Sequence, residues 1–223
     1  MERYQTILLI AGLGFWGLAW VIMGAWPMTL LSDLPVQSYE ELAAVVQPSF
    51  FDLEKRYPES FAVAFGEASP ASYAKALEQG KDVYVAEGCW HCHSQQIRPV
   101  SNESLRWGPV SMPGEYQNVT HLPQLLGTRR VGPDLSREAN RRSNDWHVAH
   151  FYEPTWVVPT SVMPSYKWLF DDTTDAEGNT VSTPNGDGLA LIAYIQWLGS
   201  WIENASPNFY NVENYLENEG TGR

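Results

Sequence analysis

The sequence predicts a mainly α-helical protein in which one transmembrane helix at the N-terminus precedes a helical domain carrying loop insertions. Three observations lead there. Residues Ile7 to Leu31 run for 25 positions without a charge. Two later stretches, Tyr73 to Tyr84 and Leu191 to Ile202, repeat apolar side chains at helical spacing. Both cysteines of the chain fall in one short cluster directly after the first of those stretches.

The uncharged run is read as a membrane anchor. At 1.5 Å per residue such a helix spans about 37 Å, enough to cross a hydrocarbon core with some tilt. Trp16, Trp20 and Trp26 suit a membrane helix, with Trp26 near an interface, and Pro27 falls close to the outer boundary. A cleaved signal peptide is the rival, but the apolar run is long for one and no small-x-small site follows cleanly. Arg3 is the only basic residue ahead of the span, a weak orientation signal.

Pro35, Pro48, Pro58 and Pro70 then divide the chain, so only short helices are expected, around Tyr39 to Val46 and Asp52 to Phe65. Phe50, Phe51, Tyr57, Phe61 and Phe65 need a partner to cover them, which reads as a connector packed on a membrane subunit. Ser69-Pro70 opens a clear helix, serine as N-cap and proline at the first helical position. Tyr73, Leu77, Gly80 and Tyr84 share one stripe of it, and Gly88 ends it. Gly80 allows a second helix to cross closely. The expected partner is Gly188 to Ile202, with Asp187 as N-cap and a stripe of Leu191, Tyr194, Ile195, Leu198 and Ile202.

The cluster after Gly88 reads Cys89-Trp90-His91-Cys92-His93, the C-x-x-C-H spacing of a covalently attached c-type haem. Each thiol can add across one vinyl group, and the adjoining histidine then lies under the iron as proximal ligand. Three other readings compete. Zinc would need four ligands, and no second cysteine pair exists. A redox dithiol lacks its βαβ context, and a structural disulfide this short would constrain little chain. Because c-type haem is attached on the oxidising side, haem attachment also places the N-terminus in the cytoplasm and the rest in the periplasm. Two helices crossing beside a haem is the arrangement of class I cytochromes c, so the fold expected is a membrane anchor plus a class I cytochrome c-like domain.

Net charge is −12, which argues against nucleic-acid binding. Seven of the 14 basic residues are arginines between Arg98 and Arg142. Arg130 among them could face a haem propionate, since a guanidinium suits carboxylates; a solvated arginine face is the alternative. Gly132-Pro133-Asp134-Leu135 resembles the turn of class I cytochromes whose proline carbonyl accepts the proximal histidine's ring N–H, which pairs Pro133 with His93. An ordinary Gly-Pro turn is the plain alternative. Met163, before the last helix and followed by Pro164, is the expected sixth ligand; Met112-Pro113 competes, with His121, His147 and His150 behind. Residues 171 to 187 read as a polar surface insertion, and the chain after Ser206 as a polar tail.

Taken in order, Glu87-Gly88-Cys89-x-x-Cys92-His93-Ser94-Gln95-x-Ile97-Arg98-Pro99, Gly114-Glu115, Arg130-x-Gly132-Pro133-Asp134-Leu135, Asn144-Asp145-Trp146-His147 and Met163-Pro164-Ser165-Tyr166-x-Trp168-Leu169 resemble a known family. It is the membrane-anchored mono-haem subunit of cbb3-type cytochrome c oxidases. The resemblance implies one covalently bound haem c on Cys89 and Cys92, with His93 and Met163 as axial ligands. It implies electron transfer from a soluble or tethered cytochrome c to a haem–copper catalytic subunit, in a bacterial inner membrane. It also suggests that the His147 to His150 stretch lies near a docking face. No acid–base pair or nucleophile is needed for that task. An anchored cytochrome c subunit of a haem–copper nitric oxide reductase, a stand-alone tethered shuttle and a haem sensor are the alternatives. These readings divide the chain into an anchor (1–32), an extramembrane connector (33–69), a cytochrome c domain (70–205) and a tail (206–223).

Overall fold

The computed structural model describes residues 2–32, 35–127, 129–174, 178 and 180–200. Ile202 and the 206–223 tail therefore lie outside the described residues. The chain divides into two compact units, Met1–Val36 and Gln37–Arg223.

In the first unit, α1 (Glu2–Trp20) and α2 (Trp26–Leu31) are joined by a turn of π-helix at Val21–Ala25. The cause is local. Pro27 has no N–H to give to the carbonyl four residues back, and its ring crowds the preceding turn. The wider turn relieves this, and the Trp26 N–H donates to the Val21 carbonyl five residues back. Tyr4 to Leu30 is long and apolar enough to cross a membrane.

The second unit is helical around one crossing. Helix α6 (Pro70–Ala86) begins at a capping box: Ser69 Oγ accepts from the Ser72 N–H, while Ser72 Oγ accepts from the Ser69 N–H at 2.8 Å. Helix α9 (Gly186–Trp197) crosses it at Gly80, where an added Cβ would lie 2.1 Å from the Ala190 carbonyl oxygen. Only a residue without a side chain permits so close an approach. The N-cap of α9 is Asn185, whose side chain accepts from the Asp187 and Gly188 N–H groups, both at 3.1 Å. Asp187, expected in that role, sits in the first turn instead. The helix stops at Leu198, and Gly199 follows in the left-handed region.

The proline-rich stretch forms α3 (Tyr39–Leu42), α4 (Pro48–Arg56) and α5 (Pro58–Phe65), with α4 and α5 each opening on a proline. The aromatic residues expected to need a partner subunit largely find cover within the chain. Phe50 and Phe61 are fully buried, 4.9 Å apart, and Phe50 packs 4.8 Å from Tyr73 of α6. Burying each such ring contributes about 1.5–3 kcal/mol. Phe51, by contrast, is exposed. A short helix α7 (Glu103–Trp107) and α8 (Asn144–Tyr152) complete the helical set described.

The expected polar insertion holds an antiparallel hairpin, β1 (Phe170–Thr174) and β2 (Thr180–Pro184), in register from Phe170 opposite Pro184 to Thr174 opposite Thr180. Its threonines and Val181 favour extended backbone.

Candidate functional site

Cys89 and Cys92 follow directly on α6. Gly88, in the left-handed region, turns the chain off the helix, and Cys89–His91 makes a single 3₁₀ turn. The two thiols are unbridged; Cys92 is exposed and Cys89 partly buried. Burial pushes the Cys89 thiol up to about 12, with the Glu87 carboxylate adding to the shift. It is a protonated thiol at neutral pH.

A second segment lies along the first and fixes it by backbone bonds. Arg129 donates to the His91 carbonyl (3.3 Å), Gly132 to Cys92 (3.1 Å) and Leu135 to Ser94 (3.0 Å). At Gly132 the backbone lies against the His93 ring, and an added Cβ would sit 2.2 Å from His93 Cε1. The next carbonyl, Pro133 O, is 2.9 Å from His93 Nδ1. That contact requires Nδ1 to carry the proton, so Nε2 is the nitrogen left to bind a metal. Burial lowers the His93 pKa, the Pro133 carbonyl and Asp134 opposing it, and the ring is neutral as a ligand must be.

Beneath this pair is a buried polar hub that sequence reading missed. Asp134, 1 % exposed, accepts from Ser94 Oγ (2.6 Å), the Gln96 N–H (2.9 Å) and the Ser136 N–H (2.9 Å). Arg130 joins it at 3.2 Å and also donates to Glu103 (2.7 Å) and the Gln96 carbonyl (2.6 Å), its guanidinium over the Trp107 ring. Protein groups thus engage Arg130 on several sides. Tyr84 of α6 donates to the His93 carbonyl at 2.6 Å. The available signal was a lone acid inside the Gly-Pro-Asp-Leu turn.

Met163 lies in the loop between α8 and β1, partly buried against the main apolar cluster, as are Cys89, Leu135 and Val148. Met112 stands at the start of a different turn, Pro113–Tyr116, its N–H donating to Glu115 at 3.0 Å. His121 is buried against Tyr116 and Trp197, its Nδ1 2.9 Å from Asn118 Oδ1. His147 is only 2 % exposed and so is not a surface group. His150 is half-buried; burial pushes it down to about 4, and nearby His93 adds to the shift.

The residues fit a haem on three counts. The donor set is two free thiols beside a neutral imidazole whose tautomer is fixed. Gly132 leaves no side chain between the turn and that imidazole. Close to His93, the buried Nδ1 of His150 has no protein hydrogen-bond partner, a polar atom that a bound group can satisfy. Among the described residues no cluster of three or more His, Cys, Asp or Glu side chains could hold a bare metal ion, which leaves the zinc reading without a site there.

The family described as cytochrome C oxidase, mono-heme subunit/FixO, matches residues 66–185, more than half of the chain. The chain belongs to this family. No curated protein matches it. Membership bears out the resemblance to the mono-haem subunit of cbb3-type oxidases, and with it the expectation of a mainly helical domain behind one N-terminal apolar helix. The mono-haem subunit is part of a cytochrome c oxidase-type complex, which implies a haem and a catalytic membrane subunit as partner. The matched stretch runs from the end of α5 to the N-cap of α9 and so includes Cys89, Cys92, His93, Arg130, Pro133 and Met163.

Proposed function

We propose that this mono-haem subunit relays electrons singly from a cytochrome c donor to the haem–copper catalytic subunit of the oxidase. The observation that carries the reading is the His93 ring, backed by Gly132 and oriented by Pro133 next to two unbridged thiols. In this reading Cys89 and Cys92 form the thioether bonds of one haem c, and His93 and Met163 take the axial positions. A haem held there supplies one-electron redox chemistry.

The chain's own residues supply the rest. Pro133 keeps the proton on Nδ1 and so presents Nε2 in one direction. Leu135, Val148 and Met163 form part of an apolar wall that excludes water, which together with a thioether ligand favours a higher potential. Arg130 acts on the cofactor indirectly, by holding the Gly132-Pro133 turn to the segment bearing the cysteines. Residues 70–205 are read as the haem domain, with the 33–69 connector contributing to its core. Tyr4–Leu30 is read as an anchor in a bacterial inner membrane, with the N-terminus cytoplasmic and the haem domain periplasmic.

Replacing Cys89 and Cys92 together by alanine tests the reading in the purified complex. No haem should then survive denaturation on this chain, and oxygen uptake driven by a cytochrome c donor should fall to background. Covalent haem, or donor-driven uptake, persisting in that variant would contradict it. A mature chain lacking residues 1 to 30 would contradict the anchor.

A further inference from the structure

The loop that carries Met163 is tied down by several hydrogen bonds. Ser165 Oγ donates to Glu153 at 2.9 Å, and the Tyr166 N–H donates to the Phe151 carbonyl at 2.8 Å; both ties run to the end of α8. Another is different. Trp168 Nε1 donates to Glu87 Oε1 at 3.0 Å across 81 residues of sequence. Glu87 is the C-cap of α6 and lies two positions before Cys89, so this tie reaches the edge of the crevice that bears the cysteines.

Core packing does not call for an indole here. Trp168 is 58 % exposed. What its ring offers is a donor at the right place and an edge-on contact with Tyr166, centroids 5.3 Å apart. Asn185, the N-cap of α9, donates to the Trp168 carbonyl at 3.0 Å and so steadies the backbone beneath the ring. Tyr166 in turn lies close to the thiols: burial pushes its hydroxyl up to about 12, with Cys89, Glu87 and Cys92 adding to the shift.

We infer that Glu87 and Trp168 are positioning residues for the distal ligand, their hydrogen bond clasping the Met163 loop to the cysteine-bearing edge. The inference rests on the reading of Met163 as that ligand. With the clasp closed, the stretch that follows Met163 is held to α8 through Ser165 and Tyr166 and to the cysteine-bearing edge through Trp168, which keeps the thioether over the crevice. With the clasp broken, the loop keeps its ties to α8 and the Asn185 bond to the Trp168 carbonyl but loses its direct tie to the cysteine-bearing edge. The predicted consequence is an axial methionine that dissociates more often, with the fold and the proximal side unchanged.

The test uses the full-length, haem-loaded protein in its complex. Trp168→Phe keeps the ring against Tyr166 and removes the donor. Glu87→Ala removes the acceptor, and Glu87→Gln keeps one. Two quantities are read: the absorption band of thioether-to-iron coordination in the oxidised protein, and the rate at which carbon monoxide binds this haem when reduced. One hydrogen bond of this kind corresponds to roughly a threefold to tenfold change in the open fraction. Trp168→Phe and Glu87→Ala should therefore each speed carbon monoxide binding by roughly threefold to tenfold. The double variant should be no faster than either single one, and Glu87→Gln should match the unmodified protein. Unchanged rates in both single variants, or additive effects in the double, would overturn the clasp while leaving Met163 as ligand. A missing thioether band in the unmodified protein would overturn the ligand reading itself, and the clasp with it.

Discussion

The segment bearing the cysteines and His93 is held from below by buried side chains, whereas the loop bearing Met163 is held by side-chain bonds nearer to solvent. Asp134, 1 % exposed, receives Ser94, Gln96 and Ser136, and Arg130 ties it to Glu103, itself buried. The Met163 loop has one buried tie, Tyr166 to Phe151, and otherwise relies on Ser165 with Glu153 and on Trp168 with Glu87, while Val162 beside Met163 is 78 % exposed. Hydrogen bonds sealed from water resist exchange, and those at the rim compete with it. The difference suits an electron carrier. In the proposed reading, His93 would be the axial ligand fixed whatever the oxidation state, and Met163 the one whose affinity, and with it the potential, can be adjusted.

The largest expected effect comes from breaking the buried side. Asp134→Ala leaves Ser94 Oγ and the Gln96 and Ser136 N–H groups without their acceptor and takes one of three from Arg130, at about 1–3 kcal/mol for each buried donor left unpaired. Chemical denaturation should show that loss. A cost near zero would mean that water replaces the carboxylate and the hub is not sealed. Gly132→Ala comes next: its Cβ would fall 2.2 Å from His93 Cε1, so the ring or the turn must move, at about 1–3 kcal/mol. The yield of covalent haem should drop with it. Full yield and native stability would show that the turn has slack.

The distal side should answer to pH instead. Hydrogen bonds from Thr155 and Ser165 hold the Glu153 carboxyl below its ordinary value of 4.5. A folded pKa below the unfolded one gives stabilisation that is complete above about 4.5 and is lost as pH falls through the folded value. Amide exchange across residues 161–166 should therefore quicken on acidification below that range, and Glu153→Gln should flatten the response. Loosening of the Cys89–His93 segment at the same pH would erase the contrast between the two sides.

How far the sequence revealed these features depends on whether the residues concerned are neighbours in the chain. Ser69-Pro70 and Gly88 mark α6 because capping is local, and the C-x-x-C-H spacing is local too. Gly80 was legible as a crossing point because a glycine in a helical stripe has few other uses. The Asp134 hub was not, since Ser94, Glu103, Arg130 and Ser136 meet only once the chain has folded back. The aromatic cluster of α4, α5 and α6 was read as surface seeking a partner, because composition cannot say which face of a short helix meets its own chain. Asn185 displaced Asp187 as cap by two positions, within the usual blur of helix ends. The hairpin within the insertion was hidden by its polar strands.

The central claim is that one crevice joins a fixed histidine to a methionine on the adjustable loop. The most direct measurement is the visible spectrum of the oxidised, haem-loaded protein carrying Met163→Leu, set beside Met112→Leu. The thioether stabilises reduced iron, so losing it should abolish the thioether-to-iron band, lower the potential and let the reduced protein bind carbon monoxide. Met112→Leu should do none of these, because Met112 belongs to the Pro113–Tyr116 turn and not to the loop beside the crevice. A Met163→Leu protein that keeps the band, or a Met112→Leu protein that loses it, would contradict the account.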